Sequence, residues 1–192
     1  MQNLPPDVIN SLKKQAPKEL KRDFNKVFKK NFDRTKKEMI KEFLSHPVTI
    51  ELYSGAGGTN ISGTLGGISN LFAFIGFPAG EDPIKPIIEL LEKTSYRDGG
   101  NAEIGRTFVV DMPSSEDIFA VTPMPWATGR SWARGIEIGI SGLGHLLRKE
   151  TPKSRSSVAI QVKNKVRGGK FYNTSYISAL LKKYEKQFKN IK

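Results

Sequence analysis

Apolar residues recur at intervals of three and four from Lys18 to about Ser45. Leu20, Phe24, Val27, Phe28, Phe32, Met39, Phe43 and Leu44 lie along one stripe, with lysines and arginines over the rest of the surface. That spacing predicts one long amphipathic helix, ended by Pro47 because the residue before a proline is pushed out of helical conformation. Pro5, Pro6 and Pro17 bracket a shorter helical segment around Asp7–Gln15, so residues 1–17 read as an N-terminal arm. Further on, Asp82-Pro83 supplies a cap and a first-turn proline for a helix through Ile84, Ile87, Ile88, Leu90 and Leu91 to about Lys93. A closing helix starts near Thr174, with Tyr176, Ile177, Leu180, Leu181, Tyr184 and Phe188 on one face.

Elsewhere the period shortens to two. Val48–Tyr53, Ile104–Asp111, Asp117–Thr122, Arg134–Ile140 and Ser157–Lys163 alternate or concentrate β-branched and aromatic residues, and each reads as a strand. Tyr96–Gly100 and Arg167–Lys170 read as turns, Lys149–Ser157 as a basic loop and Leu143–Leu147 as a helical turn. The expectation is a single α+β domain over residues 1–192. An antiparallel sheet of about four or five strands is packed by the long N-terminal helix, a middle helix and a C-terminal helix.

Two irregular stretches interrupt this pattern. Residues 54–67 hold Gly55, Gly57, Gly58, Gly63, Gly66 and Gly67, and then come Leu71, Phe72, Phe74, Ile75 and Phe77, the densest apolar run in the chain. Glycine permits positive φ and close backbone approach, so we expect a flexible loop feeding an extended, covered segment. The second stretch, residues 123–133, combines Pro123, Pro125, Trp126, Gly129, Arg130 and Trp132, with Arg134 just beyond. Exposed aromatics beside arginines are what interface hot spots are made of. Phe72, Phe74, Phe77, Trp126, Arg130, Trp132 and Arg134 are therefore the candidate subunit-interface residues. The competing reading is that both indoles fold back into the core.

Charge sharpens the picture. Formal net charge is +12, split as +6 over residues 1–49, −5 over 50–147 and +11 over 148–192. Basic ends around an acidic middle give head-to-tail pairing of copies an electrostatic rationale. Lysine-rich helices that are merely well solvated account for the same numbers. The absence of cysteine removes disulfides and thiolate metal sites, and no apolar run approaches the ~20 residues of a membrane helix, so a soluble, non-membrane protein is expected.

Catalytic chemistry finds little footing. A phosphate-binding loop needs a lysine directly after its last glycine, and residues 55–67 contain no basic residue. His46 and His145 stand in unrelated contexts without a matching carboxylate pattern for a metal. Gly139-Ile140-Ser141-Gly142-Leu143 fails the nucleophile-elbow spacing at its fifth position. Glu81/Asp82 and Glu116/Asp117 fall where caps are expected. No enzyme, cofactor or metal is read. A basic nucleic-acid-binding protein is the alternative, with Lys153, Arg155, Lys163, Lys165, Arg167 and Lys170 available to track phosphates.

Several features together resemble the neck or tail-completion proteins of tailed bacteriophages, the head–tail connectors. They are the amphipathic N-terminal helix, the turn Ser62-Gly63-Thr64-Leu65-Gly66-Gly67 and the run Asn70-Leu71-Phe72-Ala73-Phe74-Ile75-Gly76-Phe77. To these are added Trp132-Ala133-Arg134-Gly135-Ile136-Glu137-Ile138-Gly139 and the C-terminal helix. The resemblance implies a non-enzymatic virion protein, made in the host cytoplasm. Its expected partners are copies of itself in a ring, other neck, portal-adaptor or tail proteins, and non-specifically the DNA in the channel.

Overall fold

The computed structural model describes residues 6–65, 70–101, 106–138 and 174–191, with residues 6–20 described by backbone alone. The architecture is mixed helix and strand around one dominant element, α1 (Pro6–Ser45). The arm and the long helix expected separately form one continuous helix of 40 residues. At about 1.5 Å per residue it is roughly 60 Å long. Its stripe is buried from Phe28 onward, through Phe32, Thr35, Met39 and Phe43.

The chain then reverses into α2 (Pro47–Tyr53). This segment was expected as a strand, and local chemistry decides against that. His46 Nδ1 accepts the Val48 N–H at 3.3 Å, and Pro47 occupies the first helical position with its φ already suited to it. Val48 and Leu52 enter the core. A 3-10 turn at Gly55–Gly57 leads into the glycine-rich loop.

The apolar run is likewise a helix, α3 (Leu71–Ile75), and not the extended segment expected. Asn70 caps it by accepting the Ala73 N–H at 2.8 Å. Gly76 ends it at φ +86°, a left-handed conformation that side-chain-bearing residues rarely adopt. Next comes α4 (Lys85–Glu92), entered through Asp82, whose Oδ1 accepts the N–H groups of Ile84 and Lys85 at 3.0 and 3.2 Å.

Two antiparallel hairpins replace the four- or five-stranded sheet among the described residues. The first pairs β1 (Ser95–Asn101) with β2 (Arg106–Asp111), Tyr96 opposite Val110 and Arg97 opposite Val109. The turn expected at Tyr96–Gly100 is thus part of a strand, with a bulge between Asp98 and Gly100. Tyr96 and Phe108 close over α1: the Phe108 ring stacks on Phe28 at 3.9 Å and Tyr96 meets Phe28 at 5.0 Å and Phe32 at 4.7 Å. The second hairpin pairs β3 (Pro123–Met124) with β4 (Ala127–Ser131), where an irregular loop was expected.

Of the strands expected at Asp117–Thr122 and Arg134–Ile140, the parts up to Ala120 and Ile138 fall in helices α5 (Ser115–Ala120) and α6 (Trp132–Ile138), and Gly139 and Ile140 lie outside the described residues. A capping box starts α5: Ser114 Oγ accepts the Asp117 N–H at 3.2 Å, while Asp117 Oδ2 accepts the Ser114 N–H at 2.8 Å. At the start of α6, Ser131 Oγ accepts the Arg134 N–H at 3.1 Å. The closing helix α7 (Ile177–Lys189) matches its expected face, burying Ile177, Leu180, Leu181, Tyr184 and Phe188. Glu137 of α6 holds its first turn by accepting the Ser178 N–H at 2.6 Å, an anion at a helix N-terminus. The expected strand Ser157–Lys163, the basic loop Lys149–Ser157, the turn Arg167–Lys170 and the helical turn Leu143–Leu147 lie outside the described residues.

Candidate interaction surfaces

The two aromatic groups singled out from the sequence meet each other, inside the chain. Phe72, Phe77 and Trp132 are buried, at 2%, 7% and 1% exposure. Phe72 and Phe77 rings lie 5.3 Å apart, Trp132 stands edge-on to Phe77 at 6.0 Å, and Tyr176 follows at 6.4 Å from Trp132. Phe74 is partly buried. Trp126 is partly buried too, and its Nε1 donates to the Ile75 carbonyl at 2.7 Å, docking the second hairpin on the end of α3. A Cβ on Gly76 would stand 3.5 Å from the same indole, ordinary contact, so it is φ and not space that calls for glycine there. The reading of residues 123–133 as an exposed aromatic loop is therefore corrected. The indoles fold back, because apolar rings of this size gain most when covered and the Trp126 N–H finds a carbonyl.

The arginines do stay outside. Arg130 lies exposed on β4. Arg134 reaches Glu116 at 3.9 Å and lies 5.9 Å over the Phe119 ring, an exposed pair that contributes little to stability.

The glycine-rich loop is anchored rather than free over its described length. Glu51, 0% exposed, accepts the Ser62 N–H at 2.9 Å through Oε2 and the Leu71 N–H at 2.7 Å through Oε1. Asn70 Nδ2 faces the carbonyls of Gly55, Ala56 and Gly58 at 3.1, 3.0 and 2.7 Å. A buried carboxylate thus holds Ser62 and the start of α3, and a buried amide holds the Gly55–Gly58 carbonyls against the same helix start. Ordinary sequence reading gives Glu51 no distinction, since the strand assignment placed it on an outward face.

A second polar junction ties the end of α1 to α7. Glu42 accepts from Lys183 Nζ at 2.6 Å and Tyr184 OH at 2.7 Å, and these hydrogen bonds hold its carboxyl below the usual range. His46 packs on the Tyr176 ring at 4.9 Å, and burial lowers its pKa from the usual 6.5. Burial also pushes the Tyr176 phenol upward, its hydroxyl lying 2.8 Å from Thr49 Oγ1.

What remains exposed is a different set of apolar residues. Phe24 and Val27 on α1 are 45% and 51% exposed. They continue the stripe that Phe28 buries, flanked by the exposed Lys21, Arg22 and Lys26. Ile50, Tyr53 and Ile61 form a second exposed group, Ile50 and Tyr53 one turn apart on α2. Reading Val48–Tyr53 as a helix would have exposed that pair in the sequence. Among the described residues no group of three or more His, Asp or Glu is placed to hold a metal ion. No helix among them is long and apolar enough to cross a membrane.

Comparison with known protein families, with curated proteins and with solved structures returns no match to this chain.

Proposed function

We propose that this protein is a virion structural subunit that assembles into a ring in the neck or tail-completion assembly of a tailed bacteriophage. The observation that carries the reading is the continuation of the α1 stripe onto Phe24 and Val27, which are 45% and 51% exposed among the described residues. Large apolar side chains at helical spacing, rimmed by lysine and arginine, are the surface of a helix that docks on protein. A ring needs a contact between unlike surfaces, and a basic helix with an acidic middle segment provides unlike charge. Of the residues behind the family resemblance, the segment expected as a strand at Trp132–Gly139 is helical over its described part. Ser62–Leu65 forms the turn pinned by Glu51, and the Trp132–Ile138 segment forms α6 against α7.

The test is the mass of the assembled species. Native mass spectrometry and electron microscopy of the purified full chain are expected to give a closed oligomer of defined subunit number, and the chain is expected in purified particles. A strictly monomeric chain absent from particles would overturn the reading.

One observation favours a second reading. Lys30, Arg34, Lys37 and Lys41 line a shallow groove of about 450 Å³ along α1, together with Asp33 and Glu38. Binding to random-sequence duplex DNA that falls steeply with salt, without oligomers, would assign the chain to nucleic-acid binding instead.

A further inference from the structure

A groove of about 580 Å³ opens where α4, the end of β2 and α5 converge. Apolar residues including Leu90, Val110 and Met112 line it, together with two carboxylates, Asp111 and Asp117, and one cation, Lys93. Asp117 is held in its charged form by hydrogen bonds from Ser114, and Asp111 pairs with the exposed Arg97 at 3.7 Å. The groove is thus largely apolar, with a net negatively charged lining of two carboxylates and one lysine.

The α1 segment from Lys21 to Lys30 is its chemical complement. It carries Lys21, Arg22, Lys26, Lys29 and Lys30 against a single Asp23, and it exposes Phe24 and Val27 three residues apart on one face. An apolar pair flanked by cations fits a groove that is largely apolar with a net negative lining. The chain's own copy of this segment continues directly into Phe28, which the inner face of the first hairpin already holds through Phe108.

We infer that α1 of one copy seats Phe24 and Val27 in the α4–α5 groove of the next copy, its cations against Asp111 and Asp117. The inference rests on the proposed ring assembly and names the two faces that make it. The contact joins unlike surfaces, so each copy keeps one free helix ridge and one free groove until the ring closes.

The test exploits the absence of cysteine from the chain. Val27→Cys and Met112→Cys are made as separate full-length chains, then mixed under mild oxidation. The mixture is expected to give an intermolecular disulfide that neither chain gives alone. Val27→Asp is expected to weaken assembly about tenfold or more, read as the concentration at which oligomers dissociate. Asp111→Arg, at an exposed position, is expected to weaken it in the same direction. Normal assembly of Val27→Asp, or oligomers without the mixed disulfide, would overturn the inference while leaving the ring reading intact. A Val27→Cys chain that cross-links to itself would overturn it in favour of symmetric helix pairing. Wild-type chain that never assembles would overturn both.

Discussion

The two ends of the described α1 stripe make an instructive contrast. From Phe28 to Phe43 the stripe is covered, its last member Leu44 standing 43% exposed, and polar side chains fasten the same stretch to its neighbours. Lys36 Nζ donates to the carbonyls that end α4, 2.8 Å from Thr94 O, a cation placed where that helix's dipole is negative. Glu42 grips Lys183 and Tyr184 of α7, and His46 caps α2. From Lys21 to Val27 the same kind of pattern, in the same helix, leaves Phe24 and Val27 largely open. Periodicity alone does not distinguish core from contact surface. What decides is whether another element of the chain covers the side chain: Phe108 and Tyr96 of the first hairpin close on Phe28, while Phe24 and Val27 stay about half exposed among the described residues.

The strongest way to break that contrast is at Phe43. It is 1% exposed and lies 6.0 Å from the Tyr176 ring. Phe43→Ala is expected to lower unfolding stability by about 3–5 kcal/mol, the cost of lost burial plus the cavity left behind. Urea denaturation followed by tryptophan emission measures it, since Trp132 sits in the same core. A loss below about 1 kcal/mol would mean that the covered half of the stripe is no more a core than the open half.

A smaller effect is expected at Lys36. Lys36→Ala removes a charge-assisted donor from the carbonyls of Glu92 and Thr94, and the loss is expected at about 1.5 kcal/mol. The corresponding change at Lys26, which is exposed, is expected to leave monomer stability within about 0.5 kcal/mol.

How far the sequence discloses this architecture follows from what decides each element. The long helix, the helix at Ile84–Lys93 and the closing helix rest on many apolar positions each, and their stripes are visible without structure. Three short helices were read as strands because Val48–Tyr53, Asp117–Thr122 and Arg134–Ile140 are brief and rich in residues that favour strands. Their caps were nonetheless present: His46-Pro47, Ser114 with Asp117, and Ser131 with Arg134. In elements of five to seven residues a satisfied N–H at the start outweighs side-chain propensity, so the cap is the better signal. The tryptophans were misplaced for another reason. Proline and glycine around Trp126 mark a turn, but nothing local says that the Ile75 carbonyl will be there to receive its N–H. The exposed pair Phe24 and Val27 was legible as stripe and illegible as surface, because coverage is a tertiary property.

Acid tests the fastened end of α1 through His46. In the folded chain burial keeps the ring neutral, and its Nδ1 must stay unprotonated to accept the Val48 N–H. The unfolded chain takes up its proton near the usual 6.5, the folded chain only at lower pH. The unfolded state therefore binds more protons in that interval, and stability is expected to fall as pH drops below 6.5. Glu42, with its pKa lowered from 4.5, holds its contribution until pH falls below that value and loses it through its lower folded-state pKa. His46→Asn keeps a capping acceptor and removes the titration, so it is expected to flatten the first decline and leave the second. Unfolding midpoints measured from pH 7 down to about pH 2 check this, and an unchanged first decline would take His46 out of the account.

The smallest expected effect discriminates best. Phe24→Asp replaces a side chain 45% exposed, on a helix already rich in lysine. At protein concentrations low enough to keep the chain monomeric, its unfolding midpoint is expected to stay within the equivalent of about 0.5 kcal/mol of wild type. If Phe24 instead behaves like Phe43, the chain itself covers this ridge in solution, and the two halves of the stripe are one core. If stability is unchanged while assembly at higher concentration is lost, the residue serves association alone. The same substitution then separates a side chain retained for folding from one retained for a partner.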